Sequence, residues 1–138
     1  MLIIIMVILP TARSSWTCSN SDVKPVQNVL TLDLSEKGIT RIDNNTLLRC
    51  TSVTTKFKVI DFRGGSVTSI GPDAFNITSI LNSSRIQYLY LDGNHIESLE
   101  PYAFRGLKFY DLDGDDDPFI GLSNNKLSKI QVRKPCDS

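Results

Sequence analysis

The stretch from Ile86 to Phe104 constrains the fold most, because its apolar residues change spacing in a defined way. Leu89 and Leu91 alternate with polar positions, which is the period of two that a short strand needs to bury every second side chain. The spacing then widens around Asn94, which predicts a turn. A buried asparagine there can satisfy neighbouring backbone groups through its amide. One such unit cannot bury its own apolar face and needs copies on either side.

Copies of this frame are present along the chain. The equivalent strand positions lie 28, 29 and 31 residues apart, at Leu32, Ile60, Leu89 and Ile120. Later apolar positions of the frame recur as well, at Ile39, Ile42, Val67, Ile70, Ile96, Leu99, Leu127 and Ile130. The asparagine is less regular, since Lys37 and Gly65 replace it in the first two copies and Asn125 restores it in the fourth.

The pattern L-x-x-L-x-L-x-x-N, with its apolar tail, resembles the leucine-rich repeat. The resemblance implies an α/β fold, a solenoid of about four turns with a concave parallel β-sheet and short helical, 3₁₀ or irregular convex segments. Pro72 and Pro101 are placed as early residues of such short convex helices. The alternative is an ordinary antiparallel sheet, which would not share the long tail after the strand. We expect a short strand in the fourth copy, because Asp117 stands at its first apolar position.

The organisation that follows has four parts: a signal peptide at 1–14, a reduced N-terminal cap at 15–28, repeats at 29–133, and a tail or truncated C-terminal cap at 134–138. Leu2 to Leu9 is an apolar run too short to span a bilayer, and small residues follow it at a plausible cleavage spacing. A buried first strand is the alternative. No later stretch is apolar enough for a membrane span, so we expect a secreted, soluble mature protein.

Three cysteines remain after such a cleavage, an odd number for a secreted chain. Extracellular leucine-rich repeat proteins carry cysteine-rich caps, and the resemblance places Cys18 in the N-terminal cap and Cys136 at the C-terminal one. Cys50 occupies a core position. A Cys18–Cys50 disulfide and a buried, unpaired Cys50 are equally open. Cys136 is the candidate for the leftover thiol and for pairing with another chain.

Three sites match the acceptor pattern for N-glycosylation, at Asn44, Asn76 and Asn82. Each follows the strand part of its copy, so we expect all of them on the returning, convex side. Glycans there would leave the concave face free.

A run of carboxylates around Gly114 suggests calcium, because it offers alternating hard oxygen ligands at Asp111, Asp113, Asp115 and Asp117. No glutamate closes the loop, so the pattern favours a solvated acidic insertion, with calcium as the alternative. We expect no other cofactor.

Catalysis and nucleic-acid binding are both disfavoured. The chain has equal numbers of basic and acidic residues and no basic cluster, so nothing attracts a polyanion. His95 is the only histidine, and there is no nucleophile-elbow glycine pattern. We expect no enzyme, although an Asp/Glu pair acting as acid and base stays open.

Binding residues are predicted at the strand positions that alternate with the core and therefore face outward on the concave sheet. They are Val59, Asp61, Arg63, Tyr88, Tyr90, Asp92 and Phe119. Exposed tyrosines combine large rigid area with a polar tip and are enriched at interfaces, although strand propensity alone also favours tyrosine. Arg63 and Asp92 are predicted to lie diagonally near each other.

The sequence therefore predicts a secreted recognition module that binds a protein or glycan ligand, in adhesion, signalling or innate defence. The alternative is a structural or assembly piece, or an N-terminal fragment of a longer receptor ectodomain that needs a partner chain. In that case another repeat chain would join at the open end of the solenoid or through Cys136, giving a dimer.

Overall fold

A computed structural model describes residues 16–76, 86–107, 109 and 119–130, which form nine strands in two sheets. The five-stranded sheet has the order β1-β2-β4-β6-β8, and the four-stranded sheet has the order β3-β5-β7-β9. The strands are β1 (Val23–Val26), β2 (Val29–Asp33), β3 (Arg41–Ile42), β4 (Val59–Asp61), β5 (Ser69–Ile70), β6 (Tyr88–Tyr90), β7 (Ser98–Leu99), β8 (Phe119–Gly121) and β9 (Lys129–Ile130).

The predicted parallel strands are confirmed, and their registers follow the repeat frame. Leu32 pairs with Ile60, Ile60 with Leu89, and Leu89 with Ile120, so the central apolar residue of each copy lies beside its equivalents. An ordinary antiparallel sheet would not give this order. The only antiparallel pair in the described residues joins β1 to β2.

The second sheet consists of two-residue strands. In each copy, this strand follows the turn that comes after the strand of the first sheet. Ile42, Ile70 and Leu99 lie in successive registers on the second sheet. Ile42 and Ile70 join Leu32, Ile60 and Leu89 in the main hydrophobic cluster, and Leu99 packs against it. The first three copies therefore each contribute apolar side chains from both sheets to one core, which no single copy could enclose.

Asn94 confirms the prediction of an asparagine that satisfies turn backbone. It is buried, and its Nδ2 donates to the carbonyls of Phe62 (2.8 Å) and Leu91 (3.0 Å), while its Oδ1 accepts from the amide of Val67 (3.1 Å). Asn125 repeats the arrangement one copy later, donating to Leu91 and Leu122 and accepting from the amide of Ile96. Each asparagine thus joins its own copy to the preceding one.

The two copies without asparagine use other devices at that position. A Cβ atom on Gly65 would lie 2.9 Å from Oδ1 of Asn94, so the missing side chain makes room for the asparagine of the next copy. Lys37 instead reaches the N-terminal segment, where its Nζ lies 2.8 Å from Oδ1 of Asp22 and donates to the carbonyl of Thr17.

The N-terminal segment closes the first copy with a short hairpin. A 3₁₀ helix at Asn20–Asp22 leads into β1, and a two-residue turn joins β1 to β2 with φ of 49° at Gln27 and 66° at Asn28. Positive φ at both central residues is typical of the hairpin turn that matches strand twist. A disulfide joins Cys18 to Cys50, which decides the alternative that the sequence left open. Both sulfurs belong to the core cluster.

The returning segments are mostly turns. The 3₁₀ helix Leu47–Cys50 agrees with the expectation of short convex pieces, and the described residues contain no α-helix. Over the described residues 72–76 and 101–107, the short helices expected at Pro72 and Pro101 are not formed; residues 77–85 lie outside the described part. Asp73 and Tyr102 have φ of 56° and 65°, and a left-handed residue cannot continue a right-handed helix. Within the described residues, no helix is long and apolar enough to cross a membrane.

Candidate functional site

One face of the five-stranded sheet points away from the core and carries most of the predicted binding residues; we call it the tyrosine face. Its residues alternate with the core residues along each strand. They form two rows across the sheet, namely Thr31, Val59, Tyr88, Phe119 and Asp33, Asp61, Tyr90, Gly121.

Three aromatic rings cluster on this face. Tyr88 and Tyr90 stand two residues apart on β6, with ring centroids 6.1 Å apart and planes within 10° of parallel. Phe119 lies in register with Tyr88 and meets both tyrosine rings edge to face, at 5.2 and 5.4 Å. Phe119 is 44% exposed, and the tyrosines are half-buried. The strand register therefore assembles a preformed, partly exposed aromatic surface, the kind of area that dominates interface energetics.

Arg63 forms an ion pair within its own copy. Its Nη2 donates to Oδ2 of Asp61 at 2.6 Å, and its Nε donates to both carboxylate oxygens. The guanidinium carbon lies 4.4 Å from the ring centroid of Tyr90, so a cation–π contact joins the charge to the aromatic cluster. Hydrogen bonding to Asp61 raises the pKa of Arg63 above its ordinary value, and the guanidinium stays charged.

Arg63 and Asp92 lie near each other as predicted, and the Asp92 charge contributes to the raised pKa of Arg63. Each side chain nevertheless makes its direct polar contacts with a different partner. Asp92 accepts hydrogen bonds from the amide and the hydroxyl of Ser123 in the next copy. The Asp92 side chain can reach Ser123 because position 121 is glycine, and a side chain there would overlap the Asp92 carboxylate.

Two of the positions that were predicted to be exposed are buried. Val59 is 4% exposed and Asp61 is 8% exposed. Val59 is short beside the ring of Tyr88, and Arg63 covers Asp61. Val59 is nevertheless outside the main core cluster, since its side chain alternates with Ile60 and belongs to the outer row.

A cleft of about 310 Å³ opens on the tyrosine face, and sequence reasoning missed it. One side is the β1–β2 hairpin, with Val26 and Val29; the other is Tyr88 and Tyr90. The sequence assigned the segment 15–28 to a reduced N-terminal cap, because Cys18 stands just ahead of the first copy, and it predicted no strand there. The available signal was a pair of β-branched residues, Val23 and Val26, just ahead of the turn at Gln27 and Asn28.

Lys24 supplies a second charge at this end of the face. Its Nζ lies 3.4 Å from Oδ2 of Asp33, and Oδ1 of the same carboxylate accepts from the amide and the hydroxyl of Ser35. Burial by itself would raise the pKa of Asp33, but the hydrogen bonds from Ser35 and then from Lys24 hold it below its ordinary 3.8. The carboxylate is therefore ionised at neutral pH.

The remaining predicted positions lie away from this face or outside the described residues. Asn44 is exposed in a turn and Asn76 is exposed directly after one, and neither lies in a strand. The residues that lie outside the described part are the segment 1–14, Asn82, Cys136 and the calcium candidates Asp111, Asp113, Asp115 and Asp117. Where the structure describes the chain, no group of three acidic, histidine or cysteine side chains could hold a metal ion, and His95 is exposed.

A second cleft, of about 410 Å³, lies beside the 3₁₀ helix Leu47–Cys50 and includes Trp16, Arg41 and Arg49. Its cations are engaged within the protein. Arg41 pairs with Glu100 at 2.8 Å, and Arg49 donates to the carbonyl of Trp16 and stacks 5.0 Å from its ring centroid. This arrangement ties the N-terminal segment to the first copy.

Comparison with known proteins agrees with the repeat frame. Residues 85–107 match the family model described as Leucine Rich Repeat, over the copy that contains Asn94 and both tyrosines. Neither the curated proteins nor the solved structures give a match. The match supports leucine-rich repeat membership, and such repeats characteristically serve as protein-interaction modules.

Proposed function

We propose that this protein is a secreted recognition module that binds a protein ligand through the tyrosine face, in adhesion, signalling or innate defence. The observation that carries the proposal is the cluster of Tyr88, Tyr90 and Phe119, held by strand register and partly open to solvent. Monomeric proteins rarely expose such apolar area without an interaction partner. Aromatic residues next to an arginine are the composition of interface hot spots.

The proposed architecture is a leucine-rich repeat solenoid of about four turns, with the tyrosine face as its concave surface. Its support is the repetition of one pairing at β2, β4, β6 and β8, together with a second repeated pairing at β3, β5, β7 and β9. Stacked repeats of this kind make a continuous surface from residues that are far apart in sequence.

Secretion is supported by three independent features of the chain. The first residues are apolar and end near small side chains, and three glycosylation patterns follow. The third feature is the Cys18–Cys50 disulfide, since such bonds persist mainly in oxidising compartments. Mass spectrometry of the protein from a secretory host tests this part, by the mature N-terminus and by glycans on Asn44, Asn76 and Asn82.

Binding is tested on an array of extracellular protein domains with the wild-type protein and with Tyr88→Ala/Tyr90→Ala. We expect the double variant to bind its ligand at least tenfold more weakly, because it removes two of the three rings, while secretion and folding stay intact. The matched control is Tyr102→Ala, which removes an exposed tyrosine from a turn away from this face. Equal weakening by Tyr102→Ala, or loss of folding in the double variant, would oppose a recognition role for this face.

Assembly with another chain is the second candidate, and one observation favours it. In the described part of the chain β8 pairs with β6 alone, so its other edge offers unpaired backbone groups. The opposite edge of the sheet is different, because β1 contains Pro25, which has no amide to donate. A second repeat chain would therefore join at the β8 end, with Cys136 as a further candidate link.

A further inference from the structure

The β1–β2 hairpin turns part of the tyrosine face into a trough. Thr31 and Val59 form its floor, and both are almost fully buried although they point away from the core. Taller groups stand on either side, with Val26 and Val29 on the hairpin and Tyr88 opposite. Thr31 and Val59 have short β-branched side chains, whereas the ring of Tyr88 and the hairpin on either side extend further from the sheet. The enclosed volume is about 310 Å³, enough for one side chain and part of its backbone.

The rim of the trough carries paired charges, since Arg63 lines it and Lys24 lies in register with Thr31 of its floor. Two ion pairs stand there, and in each the cation is the more exposed member. The Arg63 side chain is 48% exposed and that of Asp61 11%, whereas Lys24 is 55% exposed and Asp33 28%. Because the carboxylates are less exposed than their partners, an approaching ligand meets the two cations first.

Arg63 also keeps hydrogen-bonding capacity for a ligand. Its Nε and Nη2 both donate to Asp61. Among the residues that the structure describes, Nη1 has no hydrogen-bond partner. The contact with Tyr90 fixes the plane of the guanidinium, so Nη1 is oriented before a ligand arrives.

We propose that the trough binds one apolar side chain of a partner protein, from a segment in which an acidic residue lies next to it. The apolar side chain fills the space over Thr31 and Val59. The neighbouring carboxylate accepts from Nη1 of Arg63 and lies within the field of Lys24. This inference rests on the proposed function, because it uses the tyrosine face, and it specifies the chemistry of the segment that is recognised.

The experiment uses a phage-displayed library of random linear peptides, selected on the immobilised full-length protein. We expect the selected sequences to share a large apolar residue with Asp or Glu within one or two positions. A synthetic peptide of the consensus sequence then serves as the probe for affinity measurements on variants.

Two variants act on the two halves of the proposal. Arg63→Gln removes the charge at the rim, and Val59→Phe fills the floor without touching the core cluster. We expect each to weaken the consensus peptide at least tenfold. The matched control is Lys58→Gln, which removes an exposed lysine just before β4 and outside the trough, and we expect less than a twofold change. Circular dichroism confirms that each variant is folded.

Every other outcome overturns the proposal: no enrichment, a consensus without an acidic residue, or peptides that bind Arg63→Gln and Val59→Phe as well as the wild type. Phe119→Ala separates this failure from failure of the proposed function. Peptides that depend on Phe119 but not on the trough would leave recognition by the tyrosine face in place. The proposed function fails separately, if the Tyr88→Ala/Tyr90→Ala variant binds its protein ligand normally.

Discussion

At the scale of single residues, side chains that reach into the neighbouring copy hold this protein together. Asn94 satisfies two carbonyls and one amide in a buried turn, and Asp92 bonds to Ser123 one copy further on. Buried backbone groups without partners are costly, so Asn94 matters most for the Phe62 carbonyl and the Val67 amide, because the Leu91 carbonyl also accepts from Asn125. Glycines make these contacts possible, since Gly65 and Gly121 leave the space that Asn94 and Asp92 occupy.

Replacing Asn94 tests this role. We expect Asn94→Ala to lower the free energy of unfolding by about 3 kcal/mol, because it leaves buried carbonyl and amide groups unpaired. Urea denaturation followed by circular dichroism measures the effect. The control is His95→Ala at the next, exposed position, which we expect to change stability by no more than about 0.5 kcal/mol. Similar values for the two variants would contradict the structural role of Asn94.

At the scale of elements, the N-terminal segment is the part most dependent on long-range contacts. Its strand is antiparallel, unlike the pairs between successive copies, and it is fastened by the Cys18–Cys50 disulfide, by Lys37 to Asp22, and by Asn20 to the amides of Thr54 and Thr55. These contacts place the hairpin against the first copy. They thereby create one wall of the trough.

Removing the disulfide tests how the segment is fastened. The bond closes a separation of 32 residues, so chain entropy predicts that Cys18→Ala/Cys50→Ala loses about 3 to 4 kcal/mol. The single tryptophan, Trp16, lies close to Cys18 and stacks with Arg49, so its fluorescence reports on this segment. We expect the emission of the double variant to shift to longer wavelength at a lower urea concentration than that of the wild type. Coincident transitions with loss of less than about 1 kcal/mol would contradict the prediction.

At the scale of the whole molecule, stability and assembly depend on how the ends of the sheet are protected. In a stack of repeats each copy is stabilised by contacts with its neighbours, so a terminal copy without a cap is the least stable part. The N-terminal edge has Pro25 and a disulfide-fastened hairpin. The β8 edge has no strand partner within the described residues, and Phe119 next to it is exposed.

Light scattering coupled to size exclusion distinguishes the two candidate functions. If recognition through the tyrosine face is the main role, we expect a monomer with and without reductant. If assembly is the role, we expect a dimer, and one that Cys136→Ser reduces to monomer would identify the thiol as the link. A dimer that persists in reductant and in Cys136→Ser would instead indicate pairing at the sheet edge.

The sequence by itself determined the repeated units, because the alternation and spacing of apolar residues are local properties that recur in every copy. The frame around Leu89 and Asn94 predicted parallel registers and a backbone-satisfying asparagine, and both are present. It also placed Tyr88, Tyr90 and Phe119 on one face, since equivalent positions in a repeat become neighbours.

Tertiary structure alone decided which side chains pair between the units, which are buried, and how the N-terminal hairpin packs. Arg63 pairs with Asp61 and not with Asp92, because the missing side chain at Gly121 lets Asp92 lean toward Ser123. Val59 is buried because larger side chains surround it, and these come from neighbouring strands, so the pattern within its own strand does not predict its burial. The hairpin that forms the trough depends on a disulfide partner 32 residues away. Such outcomes depend on competition among groups distant in sequence, whereas the repeat frame depends only on the chain within each copy.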